Sequence, residues 1–175
     1  MNLFKSNLLI VLSLALTLGF SSCSSNKKSS AASDSTAESS ADYSNVDVKS
    51  ADFDVNADSD SGSAGVLKTI NFAYDSSSLS SNAKAALKLN AEFLKTFKAV
   101  KVQVEGHCDE RGGVQYNLAL GEKRAQVVKS YLVSMGISSS RISTISFGKE
   151  RPVSFGHDES AWASNRRANF VITAK

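Results

Sequence analysis

Residues that could bind a small zwitterion concentrate in the segment 104–131. Asp109 follows a predicted strand, and Arg124 lies on the helix predicted after it. Asn117, Leu120 and Arg124 share one face of that helix, because seven residues turn an α-helix through about 700°. Asp109 would accept hydrogen bonds from an ammonium, and the planar guanidinium of Arg124 would bind a carboxylate. The spacing predicts a groove in which Leu120 packs against the aliphatic part of the ligand.

Asp75, at the end of the first predicted strand, could supply a second anion to the same groove. We expect Asp109 and Arg124 to border the groove and not to fill the core. Residues 107–109 and 157–159 are also potential metal ligands, but the sequence contains neither an HExxH motif nor paired CxxC motifs. We therefore predict no metal, no cofactor and no catalytic residue.

The elements that position these residues alternate between strands and helices. Strands are indicated by alternating apolar residues, and helices by apolar residues at a spacing of three to four. The order β-α-β-α-β-(short α)-β predicts an α+β fold, a two-layer α/β sandwich in which helices cover one face of a mixed sheet. The predicted elements are the strands 67–74, 100–105, 142–147 and 168–173, the helices 80–97 and 117–135, a polar loop at 106–113 and a helical turn at 160–165.

The first 22 residues have the features of a bacterial lipoprotein signal peptide. The apolar run at 8–20 is too short to span about 30 Å of hydrocarbon and is typical of a secretory signal. Cys23 follows small residues and resembles a lipobox cysteine, although Phe20 stands where an aliphatic residue is usual. We expect Cys23 to carry lipid. The alternative is ordinary signal cleavage that leaves Cys23 as an incidental thiol.

Two further zones follow within the chain of 175 residues. Residues 24–65 contain 13 Ser, eight Asp or Glu and three Lys, so with Cys23 they are predicted to form a disordered, acylated tether at 23–65. Residues 66–175 carry 16 Lys or Arg against nine acidic residues, a net charge of +7, and are predicted to form one folded domain. We expect no nucleic-acid partner, because no nucleic-acid-binding motif accompanies this charge.

Six segments of residues 66–175 resemble the outer membrane protein A C-terminal-like family, in its lipoprotein branch. They are NFAYD, GHCDERG, YNLALGEKRA, SFGKERP, GHDESAW and NRRANFV. The sequence departs from the family at Cys108, where threonine or alanine is usual, and at 113–114, where a threonine-proline pair is common. The resemblance implies a non-enzymatic domain that binds the meso-diaminopimelate of the peptidoglycan stem peptide. It assigns the zwitterion clamp to Asp109 and Arg124, and further ligand contacts to Asp75, Asn117 and Leu120.

The resemblance also implies a lipid-anchored protein of the outer membrane with its domain in the periplasm. Such a protein tethers the membrane to the cell wall, and a Tol-type β-propeller is a potential partner in envelope integrity and cell division. Two alternatives remain open. A cell-wall hydrolase or metalloenzyme would need a nucleophile–base pair or an open metal site. A flagellar stator-like anchor would need a spanning helix with an ion-carrying acid.

Overall fold

The computed structural model describes residues 54–175. The predicted signal peptide, Cys23 and the first part of the predicted tether lie outside these residues. The described chain forms four strands and three α-helices: β1 (Ile70–Asn71), α1 (Ser81–Thr96), β2 (Lys101–His107), α2 (Val114–Ser134), β3 (Ile142–Gly148), α3 (Glu159–Asn165) and β4 (Arg167–Ala174), with a 3-10 turn at Ser139–Arg141 before β3.

The strands form one mixed sheet in the order β1-β4-β2-β3. β4 is antiparallel to both β1 and β2, whereas β2 is parallel to β3. In the centre of the sheet, Val104 of β2 lies opposite Phe170 of β4 and Thr144 of β3. The predicted α+β architecture with a mixed sheet is confirmed.

The core lies between one face of the sheet and helices α1 and α2. Because side chains alternate across a strand, every second residue of β2 and β4 points toward this layer. The α1 residues in the core recur at a spacing of three to four, which gives the helix one apolar face. The buried apolar side chains of this two-layer core include Leu87, Leu94, Val102, Val104, Val128, Leu132, Phe170 and Ile172.

Local sequence signals account for the helix ends. Ser80 caps α1, since its side chain accepts a hydrogen bond from Ala83 N at 3.1 Å. After α2, Gly136 adopts φ +94°, and Ile137 N donates to Leu132 O at 3.1 Å. Ile137 is buried, as expected for this type of helix end. Within residues 54–175, none of the helices has the length and apolarity needed to cross a membrane.

The folded unit begins earlier than the predicted boundary at Val66. Residues 56–59 lie along the edge of β4, where Asn56 N donates to Ile172 O at 2.8 Å and Ser59 N donates to Phe170 O at 2.9 Å. Asp60 also forms a 2.7 Å ion pair with Arg167. The high content of Ser and Asp suggested a tether throughout, but these same side chains satisfy polar groups at the sheet edge. β1 is correspondingly shorter than predicted, because this segment occupies the rest of that edge.

A pair of glycines brings α2 close to β2. A Cβ atom on Gly106 would lie 1.9 Å from the carbonyl oxygen of Gly121, so only glycine permits this approach. Gly106 was predicted to begin a loop, whereas β2 continues to His107. The close contact places the end of β2 beside the first turns of α2, where the predicted site residues lie.

Candidate functional site

All five predicted site residues line one cavity at the carboxyl end of β2. The cavity has a volume of about 230 Å³ and lies between the residue 74–75 segment, the loop after β2 and the first turns of α2. We call it the pocket. The structure therefore brings together the residues singled out from sequence, whose roles in binding stay predictions: Asp75, Asp109, Asn117, Leu120 and Arg124.

Asp109 is buried and surrounded by arginine donors. Its Oδ1 accepts from Arg111 N at 3.1 Å and from Arg111 Nε at 3.2 Å. Its Oδ2 accepts from Arg111 Nη2 at 2.7 Å and from Arg166 Nη1 at 3.3 Å. Burial alone would raise the pKa of Asp109, but the hydrogen bonds from Arg111 and Arg166 hold it below its ordinary value. The carboxylate is thus kept ionised within the protein.

Arg124 is fully buried, so the expectation that it merely borders the groove is wrong. Its Nε donates to Ser76 O at 2.9 Å, its Nη1 to His107 O at 2.8 Å and its Nη2 to Ala73 O at 3.1 Å. Burial lowers the pKa of this guanidinium from its usual range. Arg124 therefore joins the chain before α1 to the end of β2 while it lines the pocket. Asp109 is likewise 4% exposed and part of the interior.

Asn117 and Asp75 both line the pocket, and each forms a hydrogen bond to another residue that lines it. Asn117 is buried, and its Nδ2 donates to Arg111 O at 2.8 Å, which ties the loop to α2. Asp75 is exposed, adopts φ +50° and accepts a hydrogen bond from the hydroxyl of Tyr116. That hydrogen bond raises the pKa of Tyr116. Leu120 is half-buried between these polar groups and gives the pocket an apolar part.

Arg111 is the main pocket residue that sequence reasoning missed. Its guanidinium lies between two aromatic rings, 4.1 Å from the ring centre of Tyr74 and 4.1 Å from that of Trp162. Cation–π contacts of this kind attract a guanidinium to the faces of aromatic rings. Arg111 falls within the segment GHCDERG and Trp162 within GHDESAW, so the residue types were visible. Their contact across 51 positions of sequence was not.

Side chains near the surface, outside the pocket, hold the loop that carries Asp109 through hydrogen bonds. Glu110 accepts from Trp162 Nε1 at 2.9 Å and lies 2.8 Å from His157 Nδ1. Lys149 Nζ donates to Gly112 O at 2.8 Å. The hydrogen bond between the Glu110 carboxylate and the His157 imidazole lowers the pKa of Glu110 and raises that of His157. The loop before α3 is thereby joined to the loop that carries Asp109.

The described residues include no group of three or more His, Cys, Asp or Glu side chains positioned to hold a metal ion. Cys108 is a buried free thiol in the pocket wall, and its Sγ donates to Asn117 O at 3.3 Å. Burial raises the pKa of Cys108, which disfavours the thiolate form. Cys108 therefore has the environment of a packing residue.

Residues 71–170 match the family model described as the OmpA family. The chain belongs to the OmpA family. This confirms the resemblance to the outer membrane protein A C-terminal-like family. Over 109 residues, 62% of its length, the chain is 49% identical to the peptidoglycan-associated lipoprotein of Pseudomonas aeruginosa, of which it covers 64%. It spans about three-fifths of the length of the curated relatives that it matches.

Two solved structures share the OmpA-family fold seen here. The crystal structure of the peptidoglycan-associated lipoprotein from Burkholderia pseudomallei is 41% identical, with a TM-score of 0.58 over 59% of this chain and 88% of that one. The cell wall anchor of the T6SS from Pseudomonas aeruginosa is 28% identical, with a TM-score of 0.54 over 61% of this chain and 80% of that one. The site thus lies in a domain whose relatives are named for the cell wall.

Proposed function

We propose that this OmpA-family domain binds peptidoglycan non-covalently and anchors the outer membrane to the cell wall. The observation that carries the proposal is the pocket, in which Asp75, Asp109 and Arg124 surround the apolar Leu120. The names of the relatives from Pseudomonas aeruginosa and Burkholderia pseudomallei support the same ligand class. The domain acts as a binding module and not as an enzyme.

The ligand group is meso-diaminopimelate in the stem peptide, whose free end carries an ammonium and a carboxylate on one carbon. Asp109 and the exposed Asp75 attract the ammonium, and Leu120 contacts the methylene chain. A guanidinium has five N–H donors. Those of Arg124 donate to three backbone carbonyls and the Cys108 thiol, and one Nη2 N–H has no acceptor among residues 54–175. That remaining donor is directed to the ligand carboxylate, while Asn117 fixes the loop beside it.

The remaining parts of the proposal concern the envelope around this domain. A signal peptide at 1–22 directs the chain across the inner membrane, and acyl chains on Cys23, including palmitate, anchor it in the outer membrane. The domain lies in the periplasm and acts in a Tol-Pal-type system with a Tol-type β-propeller partner, in envelope integrity and cell division. Each acyl chain contributes about 0.8 kcal/mol per buried CH₂, so two or more chains give stable anchoring.

Co-sedimentation of the purified protein with sacculi tests the binding site. Asp109→Asn should remove the protein from the sacculus pellet, because an amide cannot balance the charge of an ammonium. Glu92→Gln, a matched change on the exposed side of α1, should pellet like the unmodified protein. Free diaminopimelate-containing stem peptide should release the bound protein. Full co-sedimentation of Asp109→Asn would contradict the proposed site.

Fractionation of cells tests the anchor separately. Cys23→Ser should leave the membrane pellet and accumulate as a precursor or as soluble protein, because the acceptor thiol is gone. The membranes are to be treated first with lysozyme, so that binding to peptidoglycan cannot retain the protein. A Cys23→Ser variant that still fractionates with outer membrane after this treatment would contradict lipid anchoring and leave the peptidoglycan site unaffected.

A further inference from the structure

Every acceptor position on the Asp109 carboxylate is already used. A carboxylate offers about four lone-pair sites for hydrogen bonds. Asp109 accepts three hydrogen bonds from Arg111 and one from Arg166. A ligand ammonium therefore cannot bind Asp109 by simple addition, and one of the two arginine side chains must first give up its place.

Arg111 is the side chain that can move. Its side chain is 30% exposed at the mouth of the pocket, whereas that of Arg166 is 7% exposed. Arg166 is also held elsewhere, because its Nε donates to Phe72 O at 3.1 Å and its Nη2 to Glu159 Oε1 at 2.6 Å. Arg111 uses only Nε and Nη2 in hydrogen bonds to Asp109. Its Nη1 donates to no acceptor within residues 54–175.

We propose that the Arg111–Asp109 ion pair occupies the ligand subsite in the free protein and opens by exchanging partners with a zwitterion. The ligand ammonium takes the place of Arg111 on Asp109, and the ligand carboxylate takes the place of Asp109 on Arg111. The rings of Tyr74 and Trp162 keep the guanidinium beside the pocket during this exchange. The inference rests on the proposed function and adds a specificity-determining residue to it.

Partner exchange gives a second reason, beside the remaining Arg124 donor, for binding diaminopimelate in preference to lysine. A zwitterion provides a new partner for both members of the opened pair, so no charge is left unpaired. A ligand with only an ammonium, as in lysine-type peptidoglycan, satisfies Asp109 but leaves Arg111 without its carboxylate. The nearest other carboxylate is that of Glu159, which is 3.9 Å from Arg111 Nη2 and largely exposed. Arg111 therefore acts as a barrier to plain cations.

Titration of the purified protein with two stem peptides tests the exchange. The peptides carry diaminopimelate or lysine and differ only in the terminal carboxylate. The unmodified protein should prefer the diaminopimelate peptide by about 30-fold or more. In Arg111→Gln the lysine peptide should bind more tightly, because no internal cation competes for Asp109. The preference should then fall by about 10- to 100-fold, the value of one charge-assisted contact.

Arg151→Gln is the matched control, since Arg151 also lies on an aromatic ring, 3.7 Å from the centre of Phe147, but does not line the pocket. Arg151→Gln should prefer the diaminopimelate peptide over the lysine peptide by the same factor as the unmodified protein. A second measurement needs no substitution: the NMR signal of the Arg111 Nε–H should move when the diaminopimelate peptide binds. An unmoved signal, or an unchanged preference in Arg111→Gln, would overturn the exchange and leave selectivity to Arg124. If the unmodified protein binds neither peptide, the proposed function itself fails.

Discussion

Two arginines at opposite ends of β2 make the same kind of contact in different surroundings. Beyond the carboxyl end, Arg124 donates to the carbonyls of Ser76, His107 and Ala73. Before the amino end, Arg141 donates to the carbonyls of Leu94, Phe97 and Val100 at 2.7–2.9 Å. Each guanidinium joins chain segments that are distant in sequence, with partners up to 51 positions away for Arg124 and up to 47 for Arg141. Only Arg124, however, lies beside carboxylates and an open cavity.

The carbonyl contacts that the two arginines share stabilise the fold. A binding role must therefore rest on what only Arg124 has beside it, the carboxylates and the open cavity. Arg141 completes the carboxyl end of α1, where backbone carbonyls have no partner within the helix. Arg124 does the same for the chain before α1 and has Asp109 and Cys108 as neighbours. Burial lowers the pKa of both guanidinium groups. A buried arginine in a pocket is therefore not by itself evidence of a ligand contact.

The largest expected effect separates these roles directly. Arg124→Gln and Arg141→Gln should each destabilise the domain, because a shorter amide leaves carbonyls without donors. For the fully buried Arg124 we expect a loss of about 3–5 kcal/mol in the free energy of unfolding, and less for the partly exposed Arg141. Chemical denaturation measures both. At a temperature where both variants are folded, only Arg124→Gln should fail to co-sediment with sacculi.

Loss of sacculus binding in folded Arg141→Gln as well would mean that binding depends on general rigidity. Retained binding in folded Arg124→Gln would limit Arg124 to its carbonyl contacts. Either result removes the distinction between the two ends of β2, and the clamp would then have to rest on Asp109, Asp75 and Arg111.

The comparison also explains which parts of the molecule could be predicted from sequence. The helices and the central strands follow from short-range apolar periodicity, and the strand–loop–helix spacing placed Asp109 and Arg124 in one pocket. The sequence could not indicate that Arg124 donates hydrogen bonds to the carbonyls of Ser76 and Ala73, because these partners lie 48 and 51 positions away. The stacking of Arg111 between Tyr74 and Trp162 depends on the same long-range packing.

The start of the folded unit was missed for a different reason. Composition averaged over 24–65 describes a tether, but Ala57 and Ala64 are buried, and Ser59 donates to Asn169 Oδ1 at 2.8 Å. Small side chains are what the edge of β4 can accommodate, and their polarity is satisfied by the sheet. Segment averages therefore hide a short stretch in which Asp58, Ser59 and Asp60 have specific hydrogen-bond partners.

A smaller effect should distinguish the two ends of β2 by their response to acid. Asp109 has a lowered pKa in the folded protein, so its contribution to stability is complete above about pH 4, the unfolded value, and is lost as the pH falls through the folded value. Arg141 is bound by carbonyls, which do not titrate. Asp109→Asn should cost about 1–3 kcal/mol at neutral pH. Urea unfolding at neutral and acidic pH should show this cost shrinking in acid, whereas the cost of Arg141→Gln should stay constant. A constant cost for Asp109→Asn would contradict the ion-pair account of the pocket.

The smallest predicted effect concerns the beginning of α2, which faces the pocket. Ser80 caps α1 through its side chain, whereas the N-cap of α2 is Gly113, which has no side chain to accept a hydrogen bond. Gly113 has φ −79° and ψ 155°, a conformation open to any residue, and a Cβ atom there would have no heavy atom within 4 Å. Gly113→Ser should therefore add a cap and stabilise the domain by a few tenths of a kcal/mol. Ser80→Gly should lower stability by a similar amount, and thermal unfolding of the two variants checks both signs. If Gly113→Ser also changes sacculus binding, the first turn of α2 contacts the ligand directly, and the pocket end of the sheet differs from the far end by more than its carboxylates.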